Sequence, residues 1–575
     1  MPTFREAIAR LTAEGAPFEI ATETVGGVEM QVYRNRSANL RDLFLASAGF
    51  GDRVAYVRGG ERMTYADLHA RARGVAAGLA ASGVGPGDRV ALLAANAPDW
   101  LVTFWATLLL GAVSVPLNAW WKTEELAFVI GDCGARVVVC DARRGTLVAG
   151  LDHEIATLAR VVRFGDEFEA LAATSVATGP DARVPRIGED DVAVLLYTSG
   201  TTGKPKGSIQ THRSTIANFM NLSVRTLAST ISAGDKGGSD TSKASPRGVA
   251  QTAWLLVVPL FHVTGLFTCA VPQIVIGGKI VFMPPGRFDA DVAMAAIEDE
   301  EVTILSGVPT IMQRILASPN LGRWDMRTVA QVSYGGAPSP AGLRTELARQ
   351  LPWLSGGGPL TAYGLTETAG VVSVNSGVDY EAKPDSVGPP VPTVEVRVVG
   401  RGGDDVVTGE RGEIWVKGPI VSPGYWNRPE ADAETFTDGW LHTGDVGKLD
   451  ADGFVYVLDR AKDVIIRGGE NVYCAEVEEV LSRHTGVVEA AVVGVADTDL
   501  GEKVKAVVVP RRGARLDADS VRAFCREHLA DYKVPEIVEV TADPLPRNPS
   551  GKVLKSVLRG HDHAFVDDDP GDAVL

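Results

Sequence analysis

Apolar runs of strand length alternate with helix-like stretches through most of the chain. RVALLAAN (89–96), the helix-like WLVTFWATLLLG (100–111), AVSVPL (112–117) and ARVVVCD (135–141) form one series; TAWLLVVPL (252–260), KIVFMPP (279–285) and VTILSGVP (302–309) form a second. Continuous apolar strands separated by amphipathic helices indicate α/β layers whose sheets are buried on both faces. From about 387 the texture shifts to shorter strands and turns, VEVRVVG, GEIWVKG and FVYVLD, which predicts a β-rich subdomain. After about 460 the pattern is that of a small α+β unit. Helix-like YCAEVEEVLSRH (473–484) precedes strands 487–495 and 503–510, and a helix over 519–529 takes Asp517 or Asp519 as its N-cap. The polar, Gly- and Ser-rich stretch at about 229–247 predicts a flexible surface insertion, because it buries too little to offset its ordering entropy.

Leu101–Trp121 is free of charge for about the length of a membrane span, but Gly111, Ser114, Pro116 and Asn118 divide it into a helix and a short strand. A soluble helix–turn–strand unit is expected there, with no transmembrane span, though room remains for peripheral membrane contact and for oligomers. The 575 residues carry 56 Lys+Arg against 72 Asp+Glu, a net charge of −16 that argues against a nucleic-acid partner. Small anionic ligands stay open, since they need only a local cationic or N–H site. Five scattered cysteines without zinc spacing imply free, mostly buried thiols in a reducing compartment, hence a cytoplasmic protein.

The chemistry concentrates in a few segments. After the apolar strand VAVLLY comes Thr198-Ser199-Gly200-Thr201-Thr202-Gly203-Lys204-Pro205-Lys206-Gly207, where glycines, hydroxyls and lysines together suit an anion. It is not the P-loop of NTPases, which requires GxxxxGK[ST]. The segment resembles the phosphate loop of the adenylate-forming superfamily, in its acyl-CoA synthetase branch. Tyr363-Gly364-Leu365-Thr366-Glu367-Thr368, Trp440–Asp445 (WLHTGD), Asp459–Asp463 (DRAKD) and Pro546–Lys552 (PRNPSGK) resemble further motifs of that family, in the family's order.

The resemblance implies a large N-terminal domain over 1–460, of two α/β subdomains plus the β-rich one at about 387–460. A small, mobile C-terminal domain over 461–575 would hinge at Lys462. It also implies ATP, Mg²⁺ and CoA as cofactor and co-substrates. A small-molecule carboxylic acid would attack the α-phosphate of ATP, and the acyl group would then pass from AMP to CoA. No Ser/His/Asp triad is needed, because the substrate's own carboxylate is the nucleophile.

Under the resemblance, Lys552 bridges carboxylate and α-phosphate, and Thr366 bonds that phosphate. Glu367 and Thr198 hold the metal, while Tyr363 and Gly336-Ala337-Pro338 line the adenine. Asp445 and Arg460 take the ribose. His262, Val263, Leu266 and Gly335 face the acyl group, and Lys462, Gly468 and Gly469 serve the CoA step. His262 stands where amino-acid-activating relatives place an Asp, which disfavours an α-amino acid. A medium- or long-chain fatty acid is the expected substrate, with a steroid or terpenoid side-chain acid as alternative. Delivery to a separate carrier-protein thiol is the other alternative.

Overall fold

The computed structural model describes residues 3–174, 186–198, 204–232, 251–286, 288–335, 341–354, 359–400, 402–468, 470–498, 500–511, 513–548 and 552–560. Two large sheets form the N-terminal α/β layers. The first has six strands in the order Lys206–Thr211, Val192–Thr198, Val113–Pro116, Arg89–Leu93, Ala135–Cys140, Arg160–Arg163, parallel except for the first pair. The second has eight, running Gly370–Asn375, Pro359–Leu365, Gln331–Gly335, Ile304–Gly307, Ala253–Leu256, Lys279–Phe282, Val54–Arg58, Glu61–Thr64, with antiparallel pairs at its two edges.

The run without charge resolves as expected into helix Pro98–Leu109 and strand Val113–Pro116. Trp100, Phe104 and Trp105 on that helix are fully buried between layers, and Trp105 stacks on Phe44 with ring centroids 4.7 Å apart. An all-round apolar helix is a core helix here. Among the described residues no helix is long and apolar enough to cross a membrane. All five cysteines are buried and free.

A five-stranded antiparallel sheet follows, built from Glu395–Val399, Gly412–Lys417, Phe436–Thr437, Trp440–Leu449 and Val455–Arg460. The C-terminal α+β unit has its own five-stranded sheet, led by the hairpin Val487–Asp497 and Gly501–Pro510, and packs helices Cys474–Ser482 and Ala518–His528 around a separate core. Asp517 is the N-cap of the second helix, accepting the Ser520 N–H at 2.8 Å.

One expectation needs correcting. Residues 229–232 are not part of a surface insertion but the last turn of helix His212–Ser232, whose inner face is buried from His212 to Ala228. The helix continues because Val224 and Ala228 keep the apolar stripe of its first turns. The rest of the 229–247 stretch lies outside the described residues.

Candidate active site

Strands Val192–Thr198 and Lys206–Thr211 are the arms of an antiparallel hairpin in which Thr198 pairs with Lys206. Ser199, Gly200, Thr201, Thr202 and Gly203 lie outside the described residues, as do Gly336, Ala337, Pro338 and Gly469. The base of the hairpin is held by the segment 422–428. Trp426 N–H donates to Gly207 O at 2.7 Å, and Ile209 N–H to Gly424 O at 3.0 Å. Tyr197 OH donates to Asp132 at 2.7 Å, and Asp132 also pairs with Arg428.

A second hairpin, Pro359–Leu365 with Gly370–Asn375, carries Tyr363, Gly364 and Leu365 on one arm and Thr366–Thr368 at its tip. Gly364 permits the close approach of its arms: a Cβ there would stand 1.8 Å from Gly370 O. Gln210 on the first hairpin donates to Thr366 O at 2.8 Å, so the two hairpins meet at their ends. Glu367 is half-buried and accepts the Tyr425 hydroxyl on Oε1 at 2.8 Å. Lys206 Nζ lies 5.4 Å from the centre of the Tyr425 ring. One tyrosine therefore touches a carboxylate and a cation from separate hairpins. Burial, followed by the charge of Glu367, pushes its phenol well above the ordinary range, so it remains a donor.

Asp445 sits on strand Trp440–Leu449, one residue after a bulge at Gly444, whose φ of 68° is the left-handed conformation such a bulge requires. The Gly444 N–H donates to Glu413 at 2.9 Å, and Glu413 also accepts from Trp415 Nε1 at 3.0 Å. Asp445 is 4% exposed. Arg460 Nε reaches its Oδ1 at 2.6 Å, and Tyr363 OH donates to its Oδ2 at 2.6 Å. Burial raises the Asp445 pKa, while Arg460, Tyr363 and Lys552 oppose that rise. Each carboxylate oxygen keeps a lone pair beyond its present partner, so hydroxyls of a ligand can still be accepted there.

Lys552 belongs to the C-terminal unit and faces this group. The turn that presents it is closed by reciprocal bonds, Lys552 N–H to Asn548 Oδ1 at 2.9 Å and Asn548 N–H to Lys552 O at 2.8 Å. Its side chain reaches solvent, yet surrounding protein lowers its pKa; Arg460 adds to that lowering, and Asp445 and Asp463 counter it. Lys462 is exposed on the turn between Arg460 and Ile465, beside Asp463, which accepts from Arg559 at 2.7 Å. Gly468 is exposed and has positive φ.

His262 lies in the turn after strand Ala253–Leu256, before a wide helix at Thr264–Ala270 that contains Leu266. Burial lowers its pKa to about 4, and its Nε2 has no hydrogen-bond partner among the described residues. Phe261 packs beside it at 4.5 Å between centroids, and Trp120 packs edge-on against Phe261 at 5.0 Å. Val263 adjoins it, and Gly335 ends its strand.

Mg²⁺ fits the donors present. Glu367 offers a hard oxygen, Oε2, with its other oxygen fixed by Tyr425, and such ions take one or two carboxylates plus substrate phosphates. Among the described residues there is no cluster of three or more His, Cys, Asp or Glu to hold a metal by protein ligands alone. Tyr425, Gln210 and Glu413 were not singled out from sequence. Tyr425 lies in Pro423-Gly424-Tyr425-Trp426, where a glycine before an aromatic is a faint signal.

The AMP-binding enzyme family matches residues 43–426, and the AMP-binding enzyme C-terminal domain matches 476–552. A feruloyl-CoA synthase of an Amycolatopsis species is 41% identical over 88% of this chain and 95% of its own length. A long-chain-fatty-acid–CoA ligase of Mycobacterium tuberculosis is 35% identical over 88% of this chain and 94% of its own. The crystal structure of ATP-bound MatB from Rhodopseudomonas palustris superposes with a TM-score of 0.78 at 34% identity, covering 91% of this chain and 98% of that one. The chain belongs to the AMP-binding, adenylate-forming enzyme family. Within it, the chain is an AMP-forming acid–thiol ligase, an acyl-CoA ligase using ATP and CoA.

Proposed function

We propose that this ligase activates a hydrophobic monocarboxylic acid, with an aryl-bearing acid of the ferulate kind ahead of a long alkyl chain. The observation that carries the reading is the His262 wall. Residues 258–271 contain no acid and no Lys or Arg; the His262 imidazole, kept neutral by burial, has no hydrogen-bond partner on Nε2 among the described residues and packs against Phe261, which in turn meets Trp120. A neutral ring among aromatic edges suits an uncharged planar group. The feruloyl-CoA synthase resemblance at 41% identity supports the same ranking. A medium- or long-chain fatty acid is the second reading, favoured by the relative at 35%.

In the first step the substrate carboxylate attacks the α-phosphorus and pyrophosphate leaves; in the second the CoA thiol attacks the acyl carbonyl and AMP leaves. Lys552 neutralises the meeting anions, and Thr366 orients the α-phosphate. Thr198 with the 199–203 loop and Lys206 take the outer phosphates. Tyr363 and the 336–338 segment line the adenine, and Asp445 with Arg460 holds the ribose. Bound at Glu367 and Thr198, Mg²⁺ would supply charge neutralisation. The C-terminal unit, from 461 with its hinge at Lys462, turns between the steps and brings Gly468-Gly469 to the thiol channel.

Pyrophosphate release with ATP, measured over ferulate, other aryl acids, fatty acids of graded length and a steroid side-chain acid, tests the reading. Ferulate-type acids should give the highest kcat/KM. A maximum at a long alkyl chain would overturn the ranking, and release with no acid would overturn the function. Thioester formation on adding free CoA excludes a carrier-only acceptor.

A further inference from the structure

Asn218 is fully buried on helix His212–Ser232, the helix that directly follows the phosphate-loop hairpin. Its Nδ2 donates to Phe267 O at 3.1 Å, and its Oδ1 accepts the Val371 N–H at 3.0 Å. Donor and acceptor are thereby assigned, since a carbonyl must face the NH₂ and an N–H the oxygen. Phe267 lies in the wide helix Thr264–Ala270, whose first turn is closed by Leu266 N–H onto His262 O at 3.0 Å. Val371 pairs with Gly364 across the hairpin whose tip is Thr366-Glu367-Thr368. Gly370 leaves room for the amide: its φ is 140°, and a Cβ there would stand 2.5 Å from Asn218 Oδ1. One side chain thus joins the helix that follows His262, and is hydrogen-bonded to it, to the hairpin carrying Thr366 and Glu367 at its tip.

We propose that Asn218 is a positioning residue that couples the acyl wall to the Thr366–Glu367 turn, so that carboxylic acid and nucleotide each tighten the binding of the other. A shift of either element alone leaves a buried donor or acceptor without its partner, an unfavourable state. The two elements therefore order together, and a ligand that orders one favours the ligand of the other; this coupling is reciprocal. The inference rests on the His262 wall being the acyl site.

The test uses the full-length enzyme, α,β-methylene-ATP and the best acid of the panel, each titrated with and without the other by calorimetry. In the unsubstituted enzyme each ligand should tighten the other about 5-fold or more, as coupled sites do. In Asn218→Ala the factor should fall to near one, with the separate affinities little changed. Asn218→Asp keeps the acceptor for Val371 but has no donor for Phe267, and should lose coupling while retaining nucleotide affinity. A folded Asn218→Ala enzyme with the full factor, or an unsubstituted enzyme with none, overturns the proposal. Should the variants not fold, amide exchange on the unsubstituted enzyme decides: nucleotide alone should slow exchange at 264–270, and unchanged exchange there overturns the coupling. Pyrophosphate release that needs an acid, together with an unaltered factor in the variant, rejects the coupling and leaves the functional reading standing.

Discussion

Asp445 lies almost wholly out of solvent, which disfavours its charge, while Arg460 and Tyr363, one on each oxygen, and Lys552 favour it. Asp445 and Arg460 were readable in the sequence because their motifs are short and local. Tyr425 was not, because its carboxylate partner Glu367 is 58 positions away and the contact exists only once two hairpins meet. Tyr425→Phe removes one hydrogen bond to a charged group, worth about 1.5 kcal/mol or more, so kcat/KM for pyrophosphate release should fall about tenfold. An unchanged Mg²⁺ titration of that rate would count against this role. In its proposed role Lys552 must be protonated to neutralise two anions, and its pKa is lowered from the ordinary 10.5 by burial and by Arg460. The adenylation rate should therefore decline with rising pH at lower pH than an ordinary lysine would give, and Lys552→Arg should remove that alkaline limb. Lys552→Ala should abolish adenylate formation while sparing thioester formation from supplied acyl-adenylate.

Among elements, strands such as Arg89–Leu93, Ala135–Cys140, Ala253–Leu256 and Ile304–Gly307 and helices Cys474–Ser482 and Ala518–His528 follow from periodicity and capping, as the N-cap at Asp517 illustrates. The boundary at 229 was missed because Ser229, Thr230 and Ser232 look like loop residues, although the helix carrying them is held by Val224 and Ala228 beneath. Thr226 and Thr230 also bond back to the carbonyls one turn earlier, which keeps polar side chains inside a helix. The hairpin at Pro359–Asn375 depends on close backbone approach. Gly364→Ala places a methyl against Gly370 O, so it should cost about 1–3 kcal/mol of overpacking. Because Gly364 follows Tyr363 and stands two residues before Thr366, differential scanning should show a lower midpoint together with a raised KM for ATP. A wild-type KM with only the midpoint changed would mean the hairpin tip is held from elsewhere.

Across the molecule, buried histidines make stability fall in acid. His69 and His212 are buried, each with its pKa lowered to about 4 from 6.5. His212 Nδ1 accepts the Leu40 N–H at 3.1 Å, as only a neutral imidazole can. Below 6.5 the unfolded chain takes up protons that the folded chain refuses until about 4, so stability is complete above 6.5 and is lost as pH falls through that window. Each histidine contributes up to about 1.4 kcal/mol per pH unit. His69→Gln should make the fall of the thermal midpoint between those limits shallower, and an unchanged slope would show that other groups dominate. The class of each layer and the family could be read along the chain, because apolar period and short motifs act over a few neighbouring residues. What lies against what came only with the folded chain: Lys552 facing Asp445 from a turn of the C-terminal unit, Tyr425 between Lys206 and Glu367, Asn218 between Phe267 and Val371. Those contacts join positions tens to hundreds apart, and they exist because burying separate cores brings hairpin ends together that no local pattern relates.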